Sequence, residues 1–291
     1  MAHKLSIGNN KYRIGKTTTT MNIAGCLSKY YGKKVLVVDC DLNGNLTNIF
    51  IRDKNDEYID SEWENKAQAF ISALTTYATT GSLTEDAVKA NVVHTRFENI
   101  DLLPIPSMEY AEKAEKIIEG RALMKKMLGE EANNNVIYRH LFAGVENDYD
   151  YILFDLPANF DGFYCLSALG ATDLILIPVT NDYDSLRGCS SVIETINKEV
   201  RPNNSKIDVL GLFCNGYKDV STWRGAYKKL EEFPASYIVP IKIRNSEIVA
   251  SAKNKNAPVC YYRENAAVCK DYILLTEYVM RSFLDDFEKK N

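Results

Sequence analysis

Little in this chain of 291 residues points to chemistry built on sulfur or imidazole. Its seven cysteines (Cys26, Cys40, Cys165, Cys189, Cys214, Cys260 and Cys269) are odd in number and scattered, with no Cys-x-x-Cys pair. That spacing argues against a disulfide framework or a zinc site and reads as buried free thiols in a reducing compartment. The three histidines, His3, His94 and His140, stand in no catalytic pattern, so neither a hydrolase triad nor a histidine-rich metal centre is expected. No apolar run approaches the ~18 residues of a membrane span, and the N-terminus enters an apolar segment without the regions of a signal peptide. A cytoplasmic protein with no membrane partner is the expectation. Positive charge is not in excess: 35 Lys and Arg stand against 39 Asp and Glu, for a formal net charge of −4. A nucleic acid would therefore have to be met by a local basic patch. No internal repeat and no low-complexity linker divides the chain, which reads as one domain over 1–291 with a mostly helical, polar segment at about 51–91.

What is present is organised around the stretch Asn9-Asn10-Lys11-Tyr12-Arg13-Ile14-Gly15-Lys16-Thr17-Thr18. A short apolar segment, Leu5–Gly8, precedes it and reads as a first strand. A helical stripe of Met21, Ala24, Leu27 and Tyr31 follows, with Gly32 as the stop. A strand, a tight turn ending Gly-Lys-Thr and a helix form the context of a phosphate-binding P-loop. Backbone N–H groups of such a loop face phosphates, Lys16 reaches the β- and γ-phosphates, and the Thr17 hydroxyl takes a place on Mg²⁺. The general motif wants glycine where Asn10 stands.

The next strand, Lys34 to Asp41, has a core of Val35–Val38 suited to burial on both faces. Asp39 and Asp41, two apart at its carboxyl end, project on one side, at the edge where open α/β sheets bind ligands. Two carboxylates there suit Mg²⁺ and water handling. Tyr149 to Pro157 is a hydrophobic strand ending in Asp155, a Walker B pattern whose carboxylate holds the metal.

These segments resemble the ParA/Soj branch of the ParA–MinD ATPases, which carry a deviant Walker A motif. The family's Lys-Gly-Gly-Val-Gly-Lys-Thr-Thr stands here as Lys11-Tyr12-Arg13-Ile14-Gly15-Lys16-Thr17-Thr18. Its Asp-x-Asp-Pro-Gln-Gly-Asn-x-Thr stands as Asp39-Cys40-Asp41-Leu42-Asn43-Gly44-Asn45-Leu46-Thr47. The resemblance implies that residues 11 to 18 bind ATP, that Lys11 reaches across a dimer to the partner's phosphates, and that Asp41 positions the attacking water. It places Mg²⁺ on Thr17, Asp39 and Asp155. It further implies an ATP-dependent homodimer, nonspecific DNA binding on the nucleoid, and a ParB-type centromere-binding partner. The departure from the family is that Tyr12 and Arg13 replace both glycines between the two lysines.

Further along, Glu109–Leu128 reads as a charged helix with Ala111, Ala114, Ile117, Ile118 and Leu123 inward, and Thr84 to Val88 as a helix start capped by threonine. Leu174 to Val179 and Val209–Cys214 read as strands, and Ser185–Glu199 as a helix. Asn215, after the second of these strands, is either an adenine contact by resemblance or a strand-end turn residue. The basic residues Lys218, Arg224, Lys228, Lys229, Lys242, Arg244, Lys253 and Lys255 read as a solvated face or as DNA-backbone contacts. Ala266–Phe287, with Ile273, Leu274, Val279, Phe283 and Phe287, closes the chain as a packed helix. Its Asp285, Asp286 and Glu288 disfavour an anionic membrane.

Strands alternating with helices in buried runs predict a doubly wound, mostly parallel α/β sheet of the P-loop class. The expected activity is that of an ATPase segregating a plasmid or chromosome. The alternatives are a nucleotide-gated module with impaired hydrolysis and a positioning ATPase for a cargo other than DNA. A nitrogenase-type iron protein would need two placed cysteines, and a MinD-type regulator a basic amphipathic tail; neither is found.

Overall fold

The computed structural model describes residues 1–82, 86–128 and 134–290. The strands are β1 (His3–Ile7), β2 (Val35–Asp39), β3 (Val93–His94), β4 (Ile100–Leu103), β5 (Tyr151–Asp155), β6 (Leu174–Val179), β7 (Asp208–Tyr217) and β8 (Ile238–Arg244). The helices are α1 (Lys16–Tyr31), α2 (Asn45–Phe50), α3 (Trp63–Thr80), α4 (Met108–Met127), α5 (Ile137–Phe142), α6 (Phe163–Ala171), α7 (Tyr183–Thr195), α8 (Ser221–Leu230), α9 (Glu247–Lys253), α10 (Val259–Tyr262) and α11 (Ala267–Lys290).

All eight strands join one sheet in the order β3-β4-β2-β5-β1-β6-β7-β8, parallel except for the short antiparallel edge strand β3. The central strands are apolar because helices cover both of their faces. Along β5 the side chains alternate: Ile152 and Phe154 enter one core, Tyr151 and Leu153 the other. The first core holds Phe70, Tyr138, Phe142 and Leu169; the second holds Met21, Leu27, Tyr272 and Leu275. The chain winds outward on both sides of β1, which lies between β5 and β6. In a doubly wound sheet such a switch point opens a crevice at the carboxyl ends of the strands. The ends of β1, β2 and β5 therefore bring the loop before Lys16, Asp39 and Asp155 together.

The helix after β1 ends as its sequence predicts. Gly32 takes a left-handed φ of 59° and donates to Ser28 O, while the N–H of Lys33 returns to Leu27 O.

Several sequence expectations are corrected. β1 starts two residues before Leu5 and stops at Ile7. β7 runs through Asn215 to Tyr217 instead of ending at Cys214, so Asn215 is a strand residue. Ile117 and Leu123 face solvent, because α4 meets the core through Ala111, Ala114 and Ile118, with Tyr110 packed beside them. Leu274 is likewise exposed, since α11 packs through Val268, Tyr272, Leu275, Val279 and Phe283. The helix after β6 starts at Tyr183 and continues past Thr195 as a π-helical turn, Ile196–Val200. Thr84 and Glu85 lie outside the described residues; Asp86 to Val88 form a turn before the 3-10 segment Lys89–Asn91. The side chains of Arg224, Asp285, Asp286, Phe287 and Glu288 also lie outside what is described.

Candidate active site

The loop between β1 and α1 is held at both ends. Asn9 donates its side-chain amide to Pro178 O at 2.9 Å and to Ser185 O at 3.2 Å, which fixes the loop's start on β6 and α7. At the other end the amide of Asn215 donates to Ile14 O at 2.7 Å. Gly15 follows with φ 85°, and a Cβ there would meet the Asn215 amide nitrogen at 2.2 Å, so glycine is required on two grounds. No side chain caps α1. Its first N–H groups therefore lie at a cavity of about 770 Å³ lined by Tyr12, Arg13, Ile14, Gly15, Lys16, Thr17, Thr18, Asp41, Asn43, Asn45 and Lys253. A helix N-terminus left open beside a lysine is an anion site.

Lys16 is folded back onto its own loop. Its ammonium donates to Lys11 O at 2.8 Å and to Asn9 O at 3.4 Å, and lies 5.9 Å from the centre of the Tyr12 ring. Burial lowers its pKa, while Asp155 and Asp41 oppose that shift. Asp155 is fully buried, and burial pushes its carboxyl well above the usual carboxylate range, with the nearby Asp39 adding to the shift. One of its oxygens accepts from Thr20 Oγ1 at 3.2 Å, the nearby Thr17 hydroxyl opposes the rise, and Oδ2 has no hydrogen-bond partner among the described residues.

The two aspartates after β2 have different surroundings. Asp39 is buried, with Oδ1 accepting from the N–H of Asp41 and Oδ2 from the N–H of Thr47. Burial outweighs these bonds and raises its pKa to about 7. Asp39 thus ties the strand end to the first turn of α2, and the turn it braces carries Asp41. Asp41 lines the cavity and is oriented by Asn43, which donates to Oδ1 through its N–H at 3.0 Å and its side-chain amide at 2.7 Å.

A buried carboxylate oxygen without a partner, beside a hydroxyl and a helix N-terminus, suits a hard cation that also takes oxygens from a phosphate ligand. Thr17 and Asp155 would hold Mg²⁺. Among the described residues no group of three or more His, Cys, Asp or Glu is placed to bind a metal unaided, and Mg²⁺ at phosphate sites does not need one.

Of the sequence candidates, Tyr12 to Thr18 and Asp41 converge on one cavity. Lys11 does not line it: its ammonium pairs with Asp182, and its main-chain carbonyl takes the Lys16 bond. Asp182 was not evident among the sequence candidates, although an Asp three residues before Ser185 is an N-cap pattern. It caps α7 by accepting from Ser185 N and also accepts from Thr180 Oγ1. Burial works against its ionisation, but the bonds from Lys11, Thr180 and Ser185 outweigh it and hold the carboxyl below the usual range. A second cavity of about 450 Å³ adjoins the first and is lined by Thr180, Asn181, Asn215, Gly216, residues 243–246, Val249 and Ala250, with Arg13 and Lys253 again on its wall. Arg244, read from the sequence as a solvated or DNA-contacting residue, is engaged by both carboxylate oxygens of Asp271 at 2.6 and 2.8 Å. Lys242 stacks over the Tyr217 ring, and Lys229 over Tyr183.

A family model described as an AAA domain matches residues 2–209. The sporulation initiation inhibitor protein Soj of Bacillus subtilis is 27% identical over 288 residues, covering 96% of this chain and 98% of that protein. The chromosome partitioning protein ParA of Myxococcus xanthus is 26% identical over 287 residues, covering 95% and 87%. Among solved structures, cobyrinic acid a,c-diamide synthase of Mycobacterium smegmatis with bound ATP analogue and magnesium superposes with a TM-score of 0.70 at 20% identity. It covers 97% of this chain and 96% of that one, a likeness of fold.

The raised pKa of Asp39 has a testable sign. Between the ordinary carboxylate range and about pH 7 the folded state holds a proton that the unfolded state releases, so this group's contribution to stability falls as pH rises through that window. In Asp39→Asn the group cannot ionise. Melting temperatures from pH 5 to 8 should therefore fall less steeply in the variant than in the parent; parallel curves would show that Asp39 ionises normally.

Proposed function

We propose, for a chain that belongs to the AAA domain family and is a P-loop ATPase of the ParA/MinD type, that ATP with Mg²⁺ joins two copies and that the pair binds DNA without sequence preference, segregating a plasmid or chromosome. The observation that carries the nucleotide part is the convergence of Lys16, Thr17, Asp41 and the open end of α1 on one cavity at the sheet's switch point. Lys16 is poised: an arriving phosphate replaces the two loop carbonyls as its partner. The N–H groups of residues 15 to 18 meet the phosphate oxygens, and Asp41, held by Asn43, orients water at the terminal phosphate. Thr17 and Asp155 would hold Mg²⁺, which would supply charge neutralisation to the phosphates. The name of one relative, a chromosome partitioning protein, supports partition as the process; a ParB-type protein as the partner and the nucleoid as the place of action belong to the same reading. No described helix is long and apolar enough to cross a membrane.

Turnover is slow in this reading. Tyr12 shares the cavity wall with Asp41, where the family's glycine leaves room for water. Steric exclusion acts in every rotamer that keeps the ring on that wall.

Replacing the carboxylate of Asp41 should act on turnover and leave binding. In Asp41→Ala, ATP affinity stays near that of the parent while hydrolysis falls about tenfold or more, as expected when a positioning group is lost. Phosphate release together with calorimetry checks this; equal hydrolysis removes Asp41 from the role. The DNA reading rests on Lys228, Lys229, Lys242 and Lys255, which are set on a chain of net charge −4. Filter binding across a salt series should show a log–log slope of roughly −0.9 per phosphate contact, and tighter binding with ATP. Absence of binding at low salt with ATP would point to a cargo other than DNA.

A further inference from the structure

α4 meets the core through Ala111, Ala114 and Ile118, and beyond Ile118 none of its described residues is buried. The outer half of the helix is nevertheless rich in large apolar side chains. Ile117, Leu123, Met124, Met127 and Leu128 each keep more than half of their surface exposed. At about 100° per residue, positions 117, 124 and 128 fall in one row and 123 and 127 in the next, so the five form one stripe turned away from the buried face. Charge is divided along the same helix. Glu109, Glu112 and Glu115 stand with Lys113 in its first half, whereas Lys116, Arg121, Lys125 and Lys126 meet only Glu119 in the second. Arg121 borders the stripe on one side and Lys126 on the other, with Lys116 at its start.

We infer that the outer half of α4 docks on an anionic phospholipid surface, lying in the headgroup plane with its apolar stripe toward the acyl chains. Stripe and cations select this partner together. The apolar side chains leave water, and the basic rim meets lipid phosphates. Duplex DNA would satisfy the cations and leave the stripe in water. A second copy would cover the stripe but bring two sets of like charges together. No residue of α4 lines either cavity, so the contact leaves the nucleotide site open and does not rest on it. The expectation of no membrane partner comes from the lack of a spanning run and from Asp285, Asp286 and Glu288 in the closing helix. Neither bears on an interfacial contact at α4. Binding through one helix with no lipid anchor is weak and reversible.

The test is flotation of the full chain, without nucleotide, on vesicles of phosphatidylcholine alone and of phosphatidylcholine mixed with an equal part of phosphatidylglycerol. Binding should appear on the mixed vesicles, be about tenfold weaker or less on phosphatidylcholine alone, and fade as salt is raised. Leu123→Ser/Met127→Ser and Lys125→Gln/Lys126→Gln should each lower the affinity for mixed vesicles about tenfold, with little change in melting temperature, since none of these side chains is buried. In Met124→Trp the added emission should move to the blue on mixed vesicles and stay unmoved on phosphatidylcholine. A parent that fails to float with mixed vesicles at low salt overturns the inference, as does parental binding in both double variants. Sedimentation velocity without lipid is the remaining arm: self-association of the parent that Leu123→Ser/Met127→Ser abolishes would assign the stripe to a second copy and overturn the lipid assignment.

Discussion

Lys16, Asp39 and Asp155 share one volume largely closed to water, at the carboxyl ends of three adjacent strands, and the arrangement of the site follows from how their charges are compensated. Burial raises both carboxyls and lowers the ammonium. Each group is also given hydrogen bonds by backbone or hydroxyl: Asp39 by two N–H groups, Asp155 by threonines, Lys16 by two loop carbonyls. Both oxygens of Asp39 have a hydrogen-bond partner, whereas one oxygen of Asp155 has none among the described residues. In the proposed reading, phosphate and a divalent cation would supply what is missing, an anion for the lysine and a cation for the carboxylate.

The sheet makes this charge arrangement possible. Only parallel strands deliver three consecutive loop starts to the same edge, and only helices on both faces keep that edge dry enough for the shifts described. Asn215 then links the far half of the sheet to the loop through Ile14 O, so that β7 sets the position of the phosphate-binding backbone. Tyr12 and Arg13 stand on this frame between the two lysines. The tyrosine lines the same cavity as Asp41. The arginine takes a left-handed backbone, and its charge is left for a ligand.

Legibility in the sequence followed the range of each interaction. The P-loop, Asp41 and Asp155 were readable because their chemistry is set by neighbours within a few positions and by the strand preceding them. The parallel order of the sheet followed from buried apolar runs alternating with helical stripes. Asp39 was readable as a strand-end carboxylate, but its two N–H partners belong to a turn whose geometry has no residue signature. The Lys11–Asp182 pair joins positions 171 apart, and Lys253 reaches the cavity from residues beyond β8. Such pairings depend on how distant strands stack, which periodicity does not carry. Ile117, Leu123 and Leu274 show the same limit: an apolar residue near a helical stripe is buried only if another element covers it, and none of the described elements covers these three.

The central claim is that an intact P-loop ATPase site operates under the constraint imposed by Tyr12 and Arg13. The most direct measurement compares the parent with the double replacement Tyr12→Gly/Arg13→Gly, reading ATP turnover and the mass of the ATP-bound species in one experiment. Relief of the crowding predicts faster turnover and a larger share of dimer at saturating ATP in the glycine variant, with hydrolysis in both abolished by Lys16→Ala. A parent that already hydrolyses and dimerises as well as the glycine variant would contradict it.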